Sequence, residues 1–163
     1  MNFKPTIKQH KMFQTFGDPD VLEILYGGAA GGGKSFAVWS LMILKCLQYD
    51  GIIVGVARQT LVQLKKHSMS TFYEVIRSFD IDGIYWKYNE NKGEISFYNG
   101  SVIKFFELQY LPNEDPNYDR FGGALITFGV IEEATRSRFR LMKIIARTSR
   151  TCWFSKTTGT DTL

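Results

Sequence analysis

The chain has only two cysteines, Cys46 and Cys152, among 163 residues. They make no CxxC pair and cannot build a disulfide framework. The two histidines, His10 and His67, have no cluster of ligand-type residues beside them, which argues against a zinc site. Long apolar runs are missing too. The most apolar helical pattern, Val38–Leu47, is interrupted by Ser40 and Lys45 and is too short to span a bilayer. Met1–Pro5 lacks the apolar run of a signal peptide. No internal repeat or low-complexity linker stands out. These absences exclude a disulfide scaffold and a membrane-embedded protein. They predict a soluble chain of a reducing compartment with no membrane partner.

Apolar residues make up 44% of the chain and charged residues 22%, enough to bury one ordinary core. The net charge of +4 is unevenly spread. Residues 1–135 hold 13 basic and 15 acidic groups; the last 28 residues hold seven basic groups and one acid, Asp161. The chain therefore divides into a core over 1–135 and a basic segment over 136–163. A basic segment can contact nucleic acid or simply be solvated.

Val21–Tyr26 and Ile52–Ala57 are short, continuous apolar runs, and Leu125–Ile131 is another. Alternating with helical patterns over Ser35–Gln48 and Leu61–Phe79, they predict an α/β fold whose parallel sheet is flanked by helices on both faces. Ile84–Asn89, Glu94–Tyr98 and Ser101–Phe106 predict a small antiparallel strand insert. Asn99-Gly100 marks a two-residue hairpin turn there, and Asn91-Lys92-Gly93 a weaker one. Leu111–Asp119, with Pro112 and Pro116, predicts a loop.

The first strand runs into Gly28-Ala29-Ala30-Gly31-Gly32-Gly33-Lys34-Ser35, which fits G-x-x-x-x-G-K-[ST]. Triphosphate oxygens must be met by several backbone N–H groups at once, and side chains there would block the approach. The following helix adds its positive N-terminus. Lys34 would place a point charge on the β- and γ-phosphates, and the Ser35 hydroxyl would ligate Mg²⁺. The pattern thus predicts ATP and Mg²⁺ as cofactors.

Such a site needs carboxylates from the end of a nearby buried strand. Glu132 and Glu133 follow Val130-Ile131. Glu132 would assist the metal, directly or through a water, and Glu133 would act as general base. Gln9, upstream of the first strand, carries an amide able to donate to and accept from adenine. Arg58, after the second apolar run, and Arg120, in Tyr118–Gly123, are both candidates for the cation that neutralises transition-state charge. Arg120, supplied in trans, is the favoured one.

Taken together, these landmarks resemble the ATPase domain of phage terminase large subunits, the motors that package DNA into procapsids. Tyr26–Ser35 resembles the family's Walker A loop and Lys8-Gln9 its adenine motif. Ala57-Arg58-Gln59-Thr60 with Leu64 resembles the segment after its second strand. Gly100–Phe105 resembles its strand-rich insert, and Arg120 with Gly122-Gly123, then Gly129–Ala134, its approach to Walker B. The resemblance covers about residues 5–135.

It implies a RecA-like, additional-strand P-loop NTPase that hydrolyses ATP to translocate double-stranded DNA. The implied partners are a portal protein, a small terminase subunit and further copies of the chain in a ring. The implied place is the bacterial host cytoplasm, transiently at the procapsid portal. The family's metal-side acid is usually Asp where Glu132 stands. Its C-terminal nuclease domain is expected to be absent, and the last core strands with it, as in a truncated or frameshifted reading frame. Thr157–Thr160 is a remnant candidate for the coupling motif. Other readings stay open: another RecA-like nucleic-acid-dependent ATPase, a nucleotide-binding module with little turnover, or a small nucleotide or nucleoside kinase.

Overall fold

A computed structural model of the chain describes residues 4–28, 33–58, 60–109, 111, 113–115 and 125–132, and the backbone of 152–157. Chain order is α1 (Ile7–Gly17), β1 (Glu23–Gly28), α2 (Lys34–Gln48), β2 (Ile53–Arg58) and α3 (Leu61–Ser78). A 3-10 turn (Gly83–Tyr85) follows, then β3 (Trp86–Asn89), β4 (Glu94–Phe97), β5 (Val102–Glu107), β6 (Phe128–Glu132) and β7 (Cys152–Thr157).

One sheet contains all seven strands, in the order β1-β7-β6-β2-β5-β4-β3. The first four spatial neighbours and β5 run parallel; β4 and β3 run antiparallel to what precedes them. The carboxyl ends of β1, β7, β6, β2 and β5 therefore share one edge. β2 is buried along most of its length, as is β6, which explains their continuous apolar sequences.

α1, α2 and α3 pack against one face. Their core is built from Met12, Trp39, Met42, Leu64 and Phe72 against Val54, Ile103, Phe128 and Val130. The α3 residues Leu64, Phe72, Val75 and Ile76, with Phe79 just beyond, recur at helical spacing and are all buried. The cover of helices on both faces predicted from the strand sequences is met on one face only among the described residues.

Four other expectations need correction. First, α1 precedes β1, where no helix is predicted. Thr6 and Gln9 form a capping box that starts it, a pattern visible as T-x-x-Q. Second, the predicted antiparallel strands do pair, β3 with β4 and β4 with β5, but they are continuous with the main sheet. β5 pairs in parallel with β2 over its whole length, so β4 and β3 extend the main sheet. Third, the hairpin turn takes three residues. Ser96 pairs with Val102 and the Phe97 N–H donates to the Ser101 carbonyl at 2.8 Å, leaving Tyr98-Asn99-Gly100 in the loop. Gly100 holds the left-handed conformation such a loop requires, with φ +81°. Fourth, the core does not stop at residue 135: β7, from the basic segment, lies between β1 and β6. Its Cys-Trp-Phe-Ser-Lys-Thr sequence has an apolar run of only three residues before Ser155 and Lys156, which hides the strand.

Candidate nucleotide site at the carboxyl edge of the sheet

β1 ends at Gly28 and α2 begins at Lys34, so the glycine-rich segment joins a strand's carboxyl end to a helix's amino end. Gly33 takes the left-handed conformation, φ 65° and ψ 19°, in the position before α2. Having no side chain, Gly33 makes no side-chain cap on α2. A Cβ there would meet Gln9 Nε2 at 3.0 Å as well as strain the backbone. Lys34 is buried at the first helical position, and Ser35 beside it is exposed.

Gln9 is buried, and its amide is used at both ends. Oε1 accepts from the Thr6 N–H at 2.8 Å, and Nε2 donates to the Gly33 carbonyl at 3.1 Å. The side chain thus ties the start of α1 to the start of α2. Each end keeps capacity for one further bond.

Glu132 closes β6, and each of its oxygens has a donor. The Trp39 indole N–H, from the middle of α2, donates to Oε1 at 3.1 Å. The Ser68 hydroxyl, from α3, donates to Oε2 at 3.0 Å. The Arg58 guanidinium, at the end of β2, lies 3.7 Å from the same Oε2. Both charged side chains are nearly buried, at 10% exposure for Arg58 and 13% for Glu132. Ion pairing in such surroundings repays the loss of water only when further hydrogen bonds are present, and Trp39 and Ser68 supply them.

Of the sequence-predicted residues, the structure brings Gln9 to Gly33, next to Lys34 and Ser35, and brings Arg58 to Glu132. Gly28 ends β1. Ala29, Ala30, Gly31, Gly32, Arg120 and Glu133 lie outside the described residues, as do Thr158–Thr160. Trp39 and Ser68 are additions that sequence reasoning does not supply. The only sequence signal for Trp39 is general: a buried indole must find an acceptor for its N–H. Among the described residues no three or more His, Cys, Asp or Glu side chains gather into a metal-binding group. No helix among them is long and apolar enough to cross a membrane.

No protein-family model matches the chain, and no curated protein matches it. Solved structures do. The large terminase of a thermophilic bacteriophage, in complex with ADP, matches with a TM-score of 0.69 at 14% identity, over 93% of this chain and 39% of that one. The large terminase ATPase domain of Thermus phage P74-26 matches with a TM-score of 0.61 at 14% identity, over 98% of this chain and 67% of that one. The N-terminal domain of the DNA packaging ATPase from bacteriophage phi29 matches with a TM-score of 0.56 at 18% identity, over 92% of this chain and 78% of that one. The fold is therefore that of phage large-terminase ATPase domains, and the chain spans about two-fifths of the thermophilic phage's terminase.

Proposed function

We propose that this chain is the ATP-binding and ATP-hydrolysing domain of a phage DNA-packaging large terminase. The observation that carries the reading is one of topology. A glycine-rich strand-to-helix junction and an acid-tipped strand stand at the same sheet edge, with a single strand, β7, between them. That arrangement supports the additional-strand P-loop fold. The match to a terminase crystallised with ADP supports a nucleotide as ligand.

The donor set fits a triphosphate. Backbone N–H groups at the start of α2 and the buried Lys34 ammonium suit phosphate oxygens, and Gly33 leaves the approach open. Ser35, exposed at the second helical position, would hold Mg²⁺ together with those oxygens and water. The chemistry supplied by the ion there is neutralisation of charge on the β- and γ-phosphates. Glu132 has a donor on each oxygen, which suits a role through water better than direct ligation.

Glu133, next in the chain, would take the proton of the attacking water. Arg58 is engaged with Glu132, so Arg120 from a neighbouring copy is the cation assigned to the transition state, an effect of roughly 10³–10⁵ in rate. Gln9 would offer adenine the hydrogen-bonding capacity it keeps. Double-stranded DNA, a portal ring, a small terminase subunit and copies of this chain complete the proposed motor, which works in the host cytoplasm at the procapsid.

The test is Mg²⁺-ATP turnover and nucleotide binding by the purified chain, with and without double-stranded DNA. Lys34→Ala should lose nucleotide binding and turnover together. Glu133→Gln should keep binding and lose roughly 10²–10⁴ in turnover. A chain that binds no nucleotide would sink the proposal. The engaged Glu132 carboxylate favours one alternative, a binding module with little turnover. Binding without hydrolysis in the parent chain would select it.

A further inference from the structure

Glu132 occupies the centre of a buried polar cluster that joins four elements. Trp39 comes from α2, Ser68 from α3, Arg58 from β2 and Glu132 itself from β6. Trp39 and Ser68 are at most 1% exposed. The Trp39 ring is fixed edge-on between Phe72 of α3 and Phe105 of β5, with centroids 6.0 and 6.3 Å away. Its N–H therefore has one direction, and Glu132 stands in it. Trp39 lies five residues beyond Lys34 in the same helix. Glu132 directly precedes Glu133 in the chain.

We propose that Trp39 and Ser68 are positioning residues for ATP hydrolysis, which orient Glu132 and so fix the helix that carries Lys34 relative to the end of β6, after which Glu133 is next in the sequence. The inference rests on the ATPase reading above and deepens it. It also accounts for glutamate at this position. An aspartate is one methylene shorter, which withdraws the carboxylate by ~1.5 Å, beyond hydrogen-bond reach of both donors. Arg58 balances the charge that the two neutral donors leave. The cluster needs to act only on geometry. A displacement of about 1 Å at a reacting group can cost on the order of 10²-fold in rate without weakening substrate binding.

The test compares the parent with Trp39→Phe, which keeps a six-membered aromatic ring and removes the indole N–H, with Ser68→Ala and with Glu132→Leu. Each single change is also made in the Glu132→Leu background. Turnover and binding of a fluorescent ADP analogue are measured separately. Trp39→Phe and Ser68→Ala should each lower kcat roughly tenfold and leave the analogue's Kd within about twofold. Neither should lower kcat by much more once Glu132→Leu has removed the acceptor. An unchanged kcat, or the same loss in both backgrounds, would overturn the proposal.

An NMR readout needs no turnover. The Trp39 indole N–H resonance should move in Glu132→Leu, which leaves it no side-chain acceptor at that position, without nucleotide present. A still resonance would refute the link even in an active chain. A parent that binds the analogue but does not hydrolyse ATP would refute the hydrolysis reading and, with it, the positioning role, even if the resonance moved.

Discussion

The two halves of the sheet are built on different rules. In β2 and β6 both faces are buried: Val54, Val56, Phe128 and Val130 point to the helices, while Ala57 and Ile131, paired in register, are 2% and 1% exposed on the other face. Beyond β2 the second face opens. Phe106 is half-buried beside Ala57, and Lys104 and Glu94 then sit opposite each other in the β4–β5 pair. β4 and β5 alternate buried and half-buried residues, as one-sided antiparallel strands do. The parallel half carries the Glu132 cluster and the strand-to-helix junction between β1 and α2. The antiparallel half braces it. Its hairpin tip reaches the far end of α2, where Asn99 Nδ2 donates to the carbonyls of Cys46 at 2.8 Å and Tyr49 at 3.2 Å, and Ser101 Oγ donates to the latter at 2.6 Å.

The contrast is broken most directly on the second face. Ile131→Ala removes a fully buried side chain from the parallel half and should cost about 2–5 kcal/mol. Lys104→Ala on the same face, two strands away, should cost no more than about 0.5 kcal/mol. Denaturant unfolding of both variants measures the difference. Equal losses would mean that the second face is sealed as fully over β5 as over β6.

A smaller effect sharpens the division of labour. Asn99→Ala leaves the Cys46 carbonyl without its side-chain donor and the Tyr49 carbonyl, just past α2, with Ser101 Oγ alone, and should lower stability by about 1–2 kcal/mol. α2 has 15 residues and so separates Asn99 from Lys34 by roughly 22 Å. Nucleotide affinity should therefore stay within about twofold of the parent at a temperature where both are folded. A joint loss of stability and affinity would show that the brace also tunes the site.

Much of this architecture is legible in residue pattern. The β2, α3 and β6 segments are found within a few residues, because burial on both faces and helical periodicity each leave an unambiguous apolar signature. The strand-loop-helix junction at Gly28–Ser35 is equally plain. Gln9 is singled out for an amide able to meet adenine; the structure ties that amide to Thr6 and Gly33 and leaves capacity for one further bond at each end. The T-x-x-Q spacing signals the Thr6 contact. The Glu132 contacts cannot be foreseen, since Trp39 and Ser68 are 93 and 64 residues from it and each has an ordinary place in a helix. Side-chain pairing at that separation follows from topology, which local sequence does not encode. β7 escapes the pattern for the same reason: its place depends on the gap between β1 and β6 rather than on its own hydrophobicity.

The smallest expected effect tests how dry the core is beneath the braced end of α2. Cys46 is fully buried in the helix-side core, and burial pushes its thiol up from 9.0 to about 12. In the unfolded chain the thiol ionises near its ordinary value, whereas the folded chain keeps the proton until about 12. Stability from this group is thus fully present below pH 9 or so and declines as pH rises toward about 12, because only the unfolded state releases the proton. Raising the pH from about 7.5 to about 9.5 should cost the parent about 0.8 kcal/mol through Cys46. Burial also raises the Tyr26 and Tyr88 phenols, so the comparison must be made with Cys46→Ala, which retains both tyrosines. The variant should be less stable at neutral pH, from the lost packing, but should show a shallower alkaline decline. Parallel declines in the two proteins would mean that water reaches Cys46 in the folded state, and that the hairpin closes this end of α2 less tightly than its hydrogen bonds imply.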